Sequence, residues 1–155
     1  MSIKELGATH VWLTGVIEHA QCTDYSAYGI LPDNKHIVKG NAGSPYAIKD
    51  YYDIDPDLAE SVPDRMKEFE AVLKRIHDQD LKLVMDFVPN HVARCYHSDV
   101  APEGVRDLGA DDDCTYGFKP SNNFIYITNQ QFAPSIDLGT GPDRYVDFPA
   151  KASGT

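Results

Sequence analysis

Two short apolar segments flank an amphipathic one in the first part of the chain. Residues 8–14 (ATHVWLT) combine β-branched and aromatic side chains directly after Gly7, which predicts a buried strand with Trp12 in the core. Residues 81–88 (LKLVMDFV) form an apolar run without strict alternation, a pattern typical of a parallel strand covered on both faces. The pattern therefore predicts two buried strands joined by a long connection.

The end of that connection has helical periodicity. Apolar side chains recur at spacings of three and four and form one stripe, which consists of Met66, Phe69, Val72, Leu73 and Ile76. Ser61 is placed to cap this helix, Pro63 suits its first turn, and the helix is predicted to end near His77 or Asp78. Strand, helix and strand together predict a βαβ unit with parallel strands, and therefore an α/β fold.

Two regions lack clear periodicity. Residues 15–56 are rich in Gly, Pro, Asn, Asp and Tyr, which predicts a long loop of the kind that often carries function. Residues 92–155 have a similar composition, and only residues 123–128 (NFIYIT) look like a strand. This second region is predicted to be irregular and to bury few side chains of its own.

Composition excludes several classes of protein. Of 155 residues, 42% are hydrophobic and 25% charged, as in a folded globular protein. The net charge of −10 argues against a nucleic-acid binder and against a polybasic membrane anchor. No apolar run approaches the roughly 20 residues that span a bilayer, and no secretory signal opens the sequence. The spacing of Cys22, Cys95 and Cys114 matches no zinc motif and leaves their pairing open.

The second predicted strand ends in a dense polar cluster. In the segment Asp86-Phe87-Val88-Pro89-Asn90-His91, a carboxylate is followed by an amide and an imidazole. Ligands of parallel α/β sheets bind beyond the carboxyl ends of the strands. The Asn90 carbonyl oxygen suits calcium, and His91 can donate a hydrogen bond to an oxygen. The alternative is that Asp86 and Asn90 only stabilise the next turn.

The neighbouring segments favour a ligand-binding role for this cluster over a role in the turn alone. Residues 86–91 resemble the first signature motif of the alpha-amylase family of glycoside hydrolases, Asp-x-x-x-Asn-His at the end of barrel strand three. Residues 43–56 (GSPYAIKDYYDIDP) resemble the family's segment after strand two, and residues 6–14 resemble strand two itself. Residues 69–85 are similar to helix two leading into strand three. Several ordered motifs across about residues 5–93 are far more specific than one motif alone.

The resemblance implies a fragment of a TIM (β/α)8 barrel. Residues 1–91 would be a partial barrel with strand two, a long loop, helix two and strand three. Residues 92–155 would be an incomplete insertion like the family's domain B. A complete barrel needs roughly 200 residues or more.

The resemblance also implies roles for individual residues. Asp86 and His91 would contact the sugar at the subsite where the bond is cut, and Tyr46 would stack on that sugar through its apolar face. Asn90 would be a ligand of a structural calcium ion. In the alternative, Tyr46 is a packed loop aromatic and His91 a structural histidine.

The implied function is hydrolysis of α-glucosidic bonds in starch-like oligo- and polysaccharides by a retaining mechanism. Two carboxyl groups perform that chemistry, and in the family they come from strands four and five. Neither position falls within the 155 residues, so this chain alone is expected to be inactive on an α-glucan or maltooligosaccharide. Alpha-amylases, α-glucosidases, oligo-1,6-glucosidases and transglycosylases share these segments, which leaves the bond specificity open. The family's starch-degrading members suggest a secreted or periplasmic parent.

Two other interpretations remain open. The first is a non-catalytic carbohydrate- or calcium-binding module that uses the same strand-end residues. The second is a nucleotide-binding α/β domain, but residues 14–17 (TGVI) do not form the glycine-rich loop that such a domain needs. In a partial barrel the strand edges and apolar faces lack neighbours, so self-association is also expected.

Overall fold

The predicted βαβ unit is present in the computed structural model, which describes residues 2–152. Strand β1 spans His10–Leu13, helix α1 spans Arg65–Asp78, and strand β2 spans Lys82–Met85. The two strands pair in parallel, with His10 opposite Lys82 and Leu13 opposite Met85. The prediction of an α/β arrangement with two parallel strands is therefore confirmed.

The start of helix α1 differs from the prediction. A 3-10 turn, Val62–Asp64, precedes the helix, and the Ser61 hydroxyl donates to the Asp64 carboxylate at 3.0 Å rather than to a backbone amide. Glu68 in the first turn of the helix accepts hydrogen bonds from the backbone amides of Glu60 and Ser61. This carboxylate therefore fastens the entering chain to the helix. The end at Asp78 agrees with the prediction.

A second, smaller sheet lies in the later region. Strand β3, Tyr126–Ile127, pairs antiparallel with strand β4, Ala150–Lys151. Strand β3 is shorter than the predicted 123–128, and β4 has no hydrophobic run that would have revealed it. The three cysteines have free thiols, which answers the question of their pairing within the chain.

The core lies where the sequence predicts only a loop. Val16, Ile17 and Ile48 form the buried apolar cluster, and Leu13, Tyr51, Phe69 and Val88 pack against it. Isolated antiparallel bridges join Ile17 to Ile54 and His19 to Ile48. Residues 15–56 are thus irregular but closely packed, because backbone pairing at single residues replaces long strands.

Trp12 contradicts the prediction that it belongs to the core, since 67% of its surface is exposed. Side chains alternate along a strand, and in β1 Val11 and Leu13 are the more buried residues. Trp12 therefore points to the opposite face, where its register partner Val84 is also exposed. Among residues 2–152, no helix is long and apolar enough to cross a membrane.

Candidate functional site

The segment 86–91 begins where strands β1 and β2 end. The Asp86 amide donates to the Leu13 carbonyl at 3.0 Å, which extends the pairing of the two strands by one residue. The half-buried Asp86 thus lies at the carboxyl end of the parallel pair, the edge at which parallel α/β sheets bind ligands. Pro89 has no amide hydrogen, so the chain can leave the sheet there.

Tyr51 holds the continuation of this segment in place. Its hydroxyl donates to the Val88 carbonyl at 2.5 Å and contacts the His91 carbonyl at 3.3 Å. Its ring packs against Phe87 and Tyr96, with centroid distances of 5.5 and 5.8 Å. The 43–56 segment and the strand-end segment are therefore physically joined, and the backbone at Asn90 and His91 is positioned by a residue far away in sequence.

A cavity of about 400 Å³ opens beside Asn90 and His91. Tyr51 and Arg94 also line the cavity, as do residues within or next to the second sheet, namely Asn123, Phe124, Ile125, Lys151 and Ala152. Asp86 and Tyr46 do not line this cavity. The structure thus brings two of the four predicted site residues to one cavity, while Tyr46 is half exposed on the loop before Tyr51.

Arg94 connects the chain after His91 to the later part of the chain. Its guanidinium lies 2.8 Å from the Asp147 carboxylate and 3.4 Å from the centroid of the Phe132 ring. The Lys151 ammonium donates to the Arg94 carbonyl at 2.8 Å. Both partners of the Arg94–Asp147 pair are largely buried, so removing one of them would leave the other charge without its counterion.

A second group of charged residues is buried below the loop. Glu18, Asp50, Asp53 and Asp55 are all buried, and so is Arg65 at the start of helix α1. Arg65 forms ion pairs with Asp53 and with Asp99, the latter at 3.0 Å. Helix α1 is thereby tied both to the loop and to the chain that follows β2.

Burial and neighbouring charges shift the pKa values in this group. Burial, reinforced by the negative charge of Asp99, raises the pKa of the Glu18 carboxyl to about 8. Burial lowers the pKa of the His19 imidazole, but the hydrogen bond and charge of Asp55 outweigh it, so the pKa lies above its usual value. His19 Nδ1 lies 2.7 Å from Asp55.

Sequence reasoning did not identify these buried charges. Residues 15–56 lack periodicity, and polar residues in such a segment are normally exposed. One signal was available: Ile48 stands directly before Lys49 and Asp50, and Ile54 stands between Asp53 and Asp55. Burying the two isoleucines brings the adjacent carboxylates into the interior.

The fold and the site together define a class of protein. It is an α/β protein with polar residues at the carboxyl end of a pair of parallel strands. The sequence profile of the alpha amylase catalytic domain matches residues 2–107, more than half of the chain. The chain belongs to the alpha-amylase family.

Curated relatives agree with this assignment. The probable oligo-1,6-glucosidase 3 of Bacillus subtilis is 33% identical over 91 residues, which cover 59% of this chain and 12% of the relative. The alpha-amylase of Saccharomycopsis fibuligera is 27% identical over 136 residues, 87% of this chain and 21% of the relative. The mouse amino acid transporter heavy chain SLC3A1 is 44% identical over 48 residues, 31% of this chain and 6% of the relative. The chain thus spans about a fifth or less of these proteins. No solved structure matches it significantly.

Proposed function

We propose that this protein is part of a glycosidase that hydrolyses α-glucosidic bonds in starch-like oligo- and polysaccharides with retention of configuration. The observation that carries the proposal is the match to the alpha-amylase catalytic domain over residues 2–107, within which segment 86–91 lies at the carboxyl end of β2. Relatives named as an oligo-1,6-glucosidase and an alpha-amylase support the same class of substrate.

In this proposal, β1, α1 and β2 are strand two, helix two and strand three of a (β/α)8 barrel. The parallel register of β1 and β2 and the helix between them support the assignment. Residues 1–91 then belong to the barrel, and residues 92–155 form a domain B-like insertion. The Arg65–Asp99 ion pair and the hydrogen bond from the Ala93 amide to the Ile48 carbonyl would hold that insertion against the barrel part.

Each predicted site residue has a role in the proposal. Asp86 and His91 bind hydroxyl groups of the sugar at the cleavage subsite, since a carboxylate accepts and an imidazole donates hydrogen bonds. Tyr46 stacks on the same sugar, and its half-exposed side chain is consistent with that role. Asn90 offers its carbonyl oxygen to a structural calcium ion.

Bond cleavage itself needs a nucleophile and an acid/base about 5–5.5 Å apart. In the alpha-amylase family these carboxyl groups come from strands four and five, so the proposed contribution of the present residues is to bind and orient the sugar. A polypeptide limited to these 155 residues is proposed to be inactive by itself.

A non-catalytic binding module is the second candidate. The observation in its favour is that one matched relative is named as a transporter heavy chain rather than as a glycosidase. The same strand-end residues would then bind a carbohydrate or calcium without any cleavage.

The binding of maltoheptaose, measured by isothermal titration calorimetry, tests the proposal. Tyr46→Ala is expected to weaken binding about tenfold, because a stacked aromatic ring contributes roughly 1 kcal/mol or more. Tyr28→Ala is the matched control, since Tyr28 has nearly the same exposed fraction, 50% against 51%, but lies outside the motifs. No measurable binding, or an equal loss in both variants, would contradict the proposed sugar site.

A further inference from the structure

A group of three carboxylates lies apart from the strand-end segment. One oxygen atom each of Glu18, Asp53 and Asp99 lies within 4.8 Å of the other two. Glu18 and Asp53 are buried, whereas 19% of the Asp99 side chain is exposed. Asp99 is therefore the side of the group that solvent can reach.

Glu18 gives an independent indication of a ligand. It is only 2% exposed, and its Oε2 atom has no hydrogen-bond partner in the part of the chain that the structure describes. A buried polar atom without a partner is costly and usually has an explanation, such as a bound ion. The fully buried Asp50 carries a second such atom, Oδ2, and its negative charge acts on Glu18.

The cationic side chains nearby leave an excess of negative charge. Arg65 contacts both Asp53 and Asp99. The Lys49 ammonium lies 3.1 Å from Asp33 and donates to the Leu31 carbonyl, so its charge is shared with another carboxylate. Four carboxyl groups interact electrostatically within this group, whereas Arg65 contacts only two of them; the four are Glu18, Asp50, Asp53 and Asp99.

The carboxylates retain enough acceptor capacity for an additional ligand. Asp53 accepts from Arg65 through Oδ2 and from the Ile54 amide through Oδ1 at 2.7 Å. An ionised carboxylate has about four acceptor sites, so these two bonds do not exhaust it. Calcium binds oxygen at about 2.3–2.6 Å, so oxygens on opposite sides of the ion lie within roughly 5 Å of each other. The observed spacing meets this condition.

We propose that Glu18, Asp53 and Asp99 form a binding site for a divalent cation of the calcium class. The ion would link the chain after β1, the chain before α1 and the chain after β2, and would stabilise their packing. All candidate ligands are carboxylate oxygens, which suit a hard cation better than zinc or copper. This site is distinct from the calcium position proposed at Asn90 and does not depend on the glycosidase proposal.

Calcium titration by isothermal calorimetry, after removal of metals with EDTA, tests this site. Saturable binding is expected, and Glu18→Gln and Asp99→Asn should each weaken it by about tenfold or more, because affinity depends on the number of charged ligands. Asp143→Asn removes the same charge from an exposed carboxylate that pairs with Lys35, and it should leave the affinity unchanged. Asn90→Ala should retain this binding event.

Thermal unfolding provides the second measurement. Calcium should raise the unfolding midpoint of the unaltered protein and of Asp143→Asn, because a ligand that binds only the folded state stabilises it. The rise should be clearly smaller for Glu18→Gln, which keeps the shape of the buried side chain and is expected to fold without calcium.

Three results would overturn the proposal. They are the absence of saturable calcium binding, an equal loss of affinity in Asp143→Asn, or loss of all binding in Asn90→Ala with full binding kept in Glu18→Gln. Because Glu18→Gln is isosteric, it decides the question even if Asp99→Asn fails to fold.

Discussion

The Tyr51 hydroxyl donates a hydrogen bond to the Val88 carbonyl and so joins the loop before helix α1 to the chain that leaves β2. Tyr51→Phe removes that bond while keeping the ring and its contacts with Phe87. We expect a loss of about 1 kcal/mol in the free energy of unfolding, measured by urea denaturation, because the half-buried carbonyl loses its partner.

Tyr52→Phe is the control for this change. Tyr52 is adjacent in sequence and more exposed, and its hydroxyl makes no hydrogen bond within residues 2–152. Its removal should leave the urea midpoint unchanged. Equal midpoints for Tyr51→Phe and the unaltered protein would show that the Val88 bond contributes nothing to stability.

Replacing Arg65 is expected to destabilise the protein more than replacing any other charged residue of helix α1. It is buried between Asp53 and Asp99 and also donates to the Val62 carbonyl at 3.0 Å. Arg65→Met leaves two carboxylates without their cation, which should destabilise the fold by roughly 3–5 kcal/mol in thermal or urea unfolding. Lys74→Met, which breaks the exposed pair with Asp78 on the same helix, should change little. Similar effects of the two substitutions would argue against a structural role for the buried pair.

Gly43 occupies a position that no other residue should tolerate. Its φ is +69°, and a Cβ atom there would lie 1.8 Å from the Ala20 carbonyl oxygen. Gly40 has a similar φ of +67° but no atom within 4 Å of such a Cβ. Gly40→Ala should therefore cost only the roughly 1–2 kcal/mol of the left-handed conformation. Gly43→Ala should lower the free energy of unfolding clearly more than Gly40→Ala, because the backbone itself must move. Equal unfolding midpoints for the two variants would show that the loop rearranges without a large loss of stability.

The outer face of the β1–β2 pair is expected to cause self-association. Trp12 and its register partner Val84 are both exposed there. Apolar patches of this kind promote association. Sedimentation velocity should show a coefficient that rises with concentration, and Trp12→Lys should reduce the rise, whereas Phe118→Lys, which removes an exposed aromatic from another region, should not. A compact monomer at every concentration would contradict the expectation.

The local hydrophobic pattern predicted a secondary-structure element correctly where that element has its own pattern of apolar residues. The apolar stripe from Met66 to Ile76 predicted α1, and the apolar run at 81–88 predicted β2. The expectation that β2 is covered on both faces is wrong, since none of its four residues is buried. The family motifs in 43–56 and 86–91 were equally visible, since they depend on the order of residues along the chain.

The sequence alone therefore determined the family, the parallel βαβ unit and the residues proposed to bind a sugar. Only the tertiary structure decided that the loop of residues 15–56 holds the core, that Trp12 faces outward, and that Glu18, Asp53 and Asp99 meet. The physical reason is that these features depend on contacts between residues far apart in the chain. Neither the spacing of residues 18, 53 and 99 nor any local periodicity encodes that proximity.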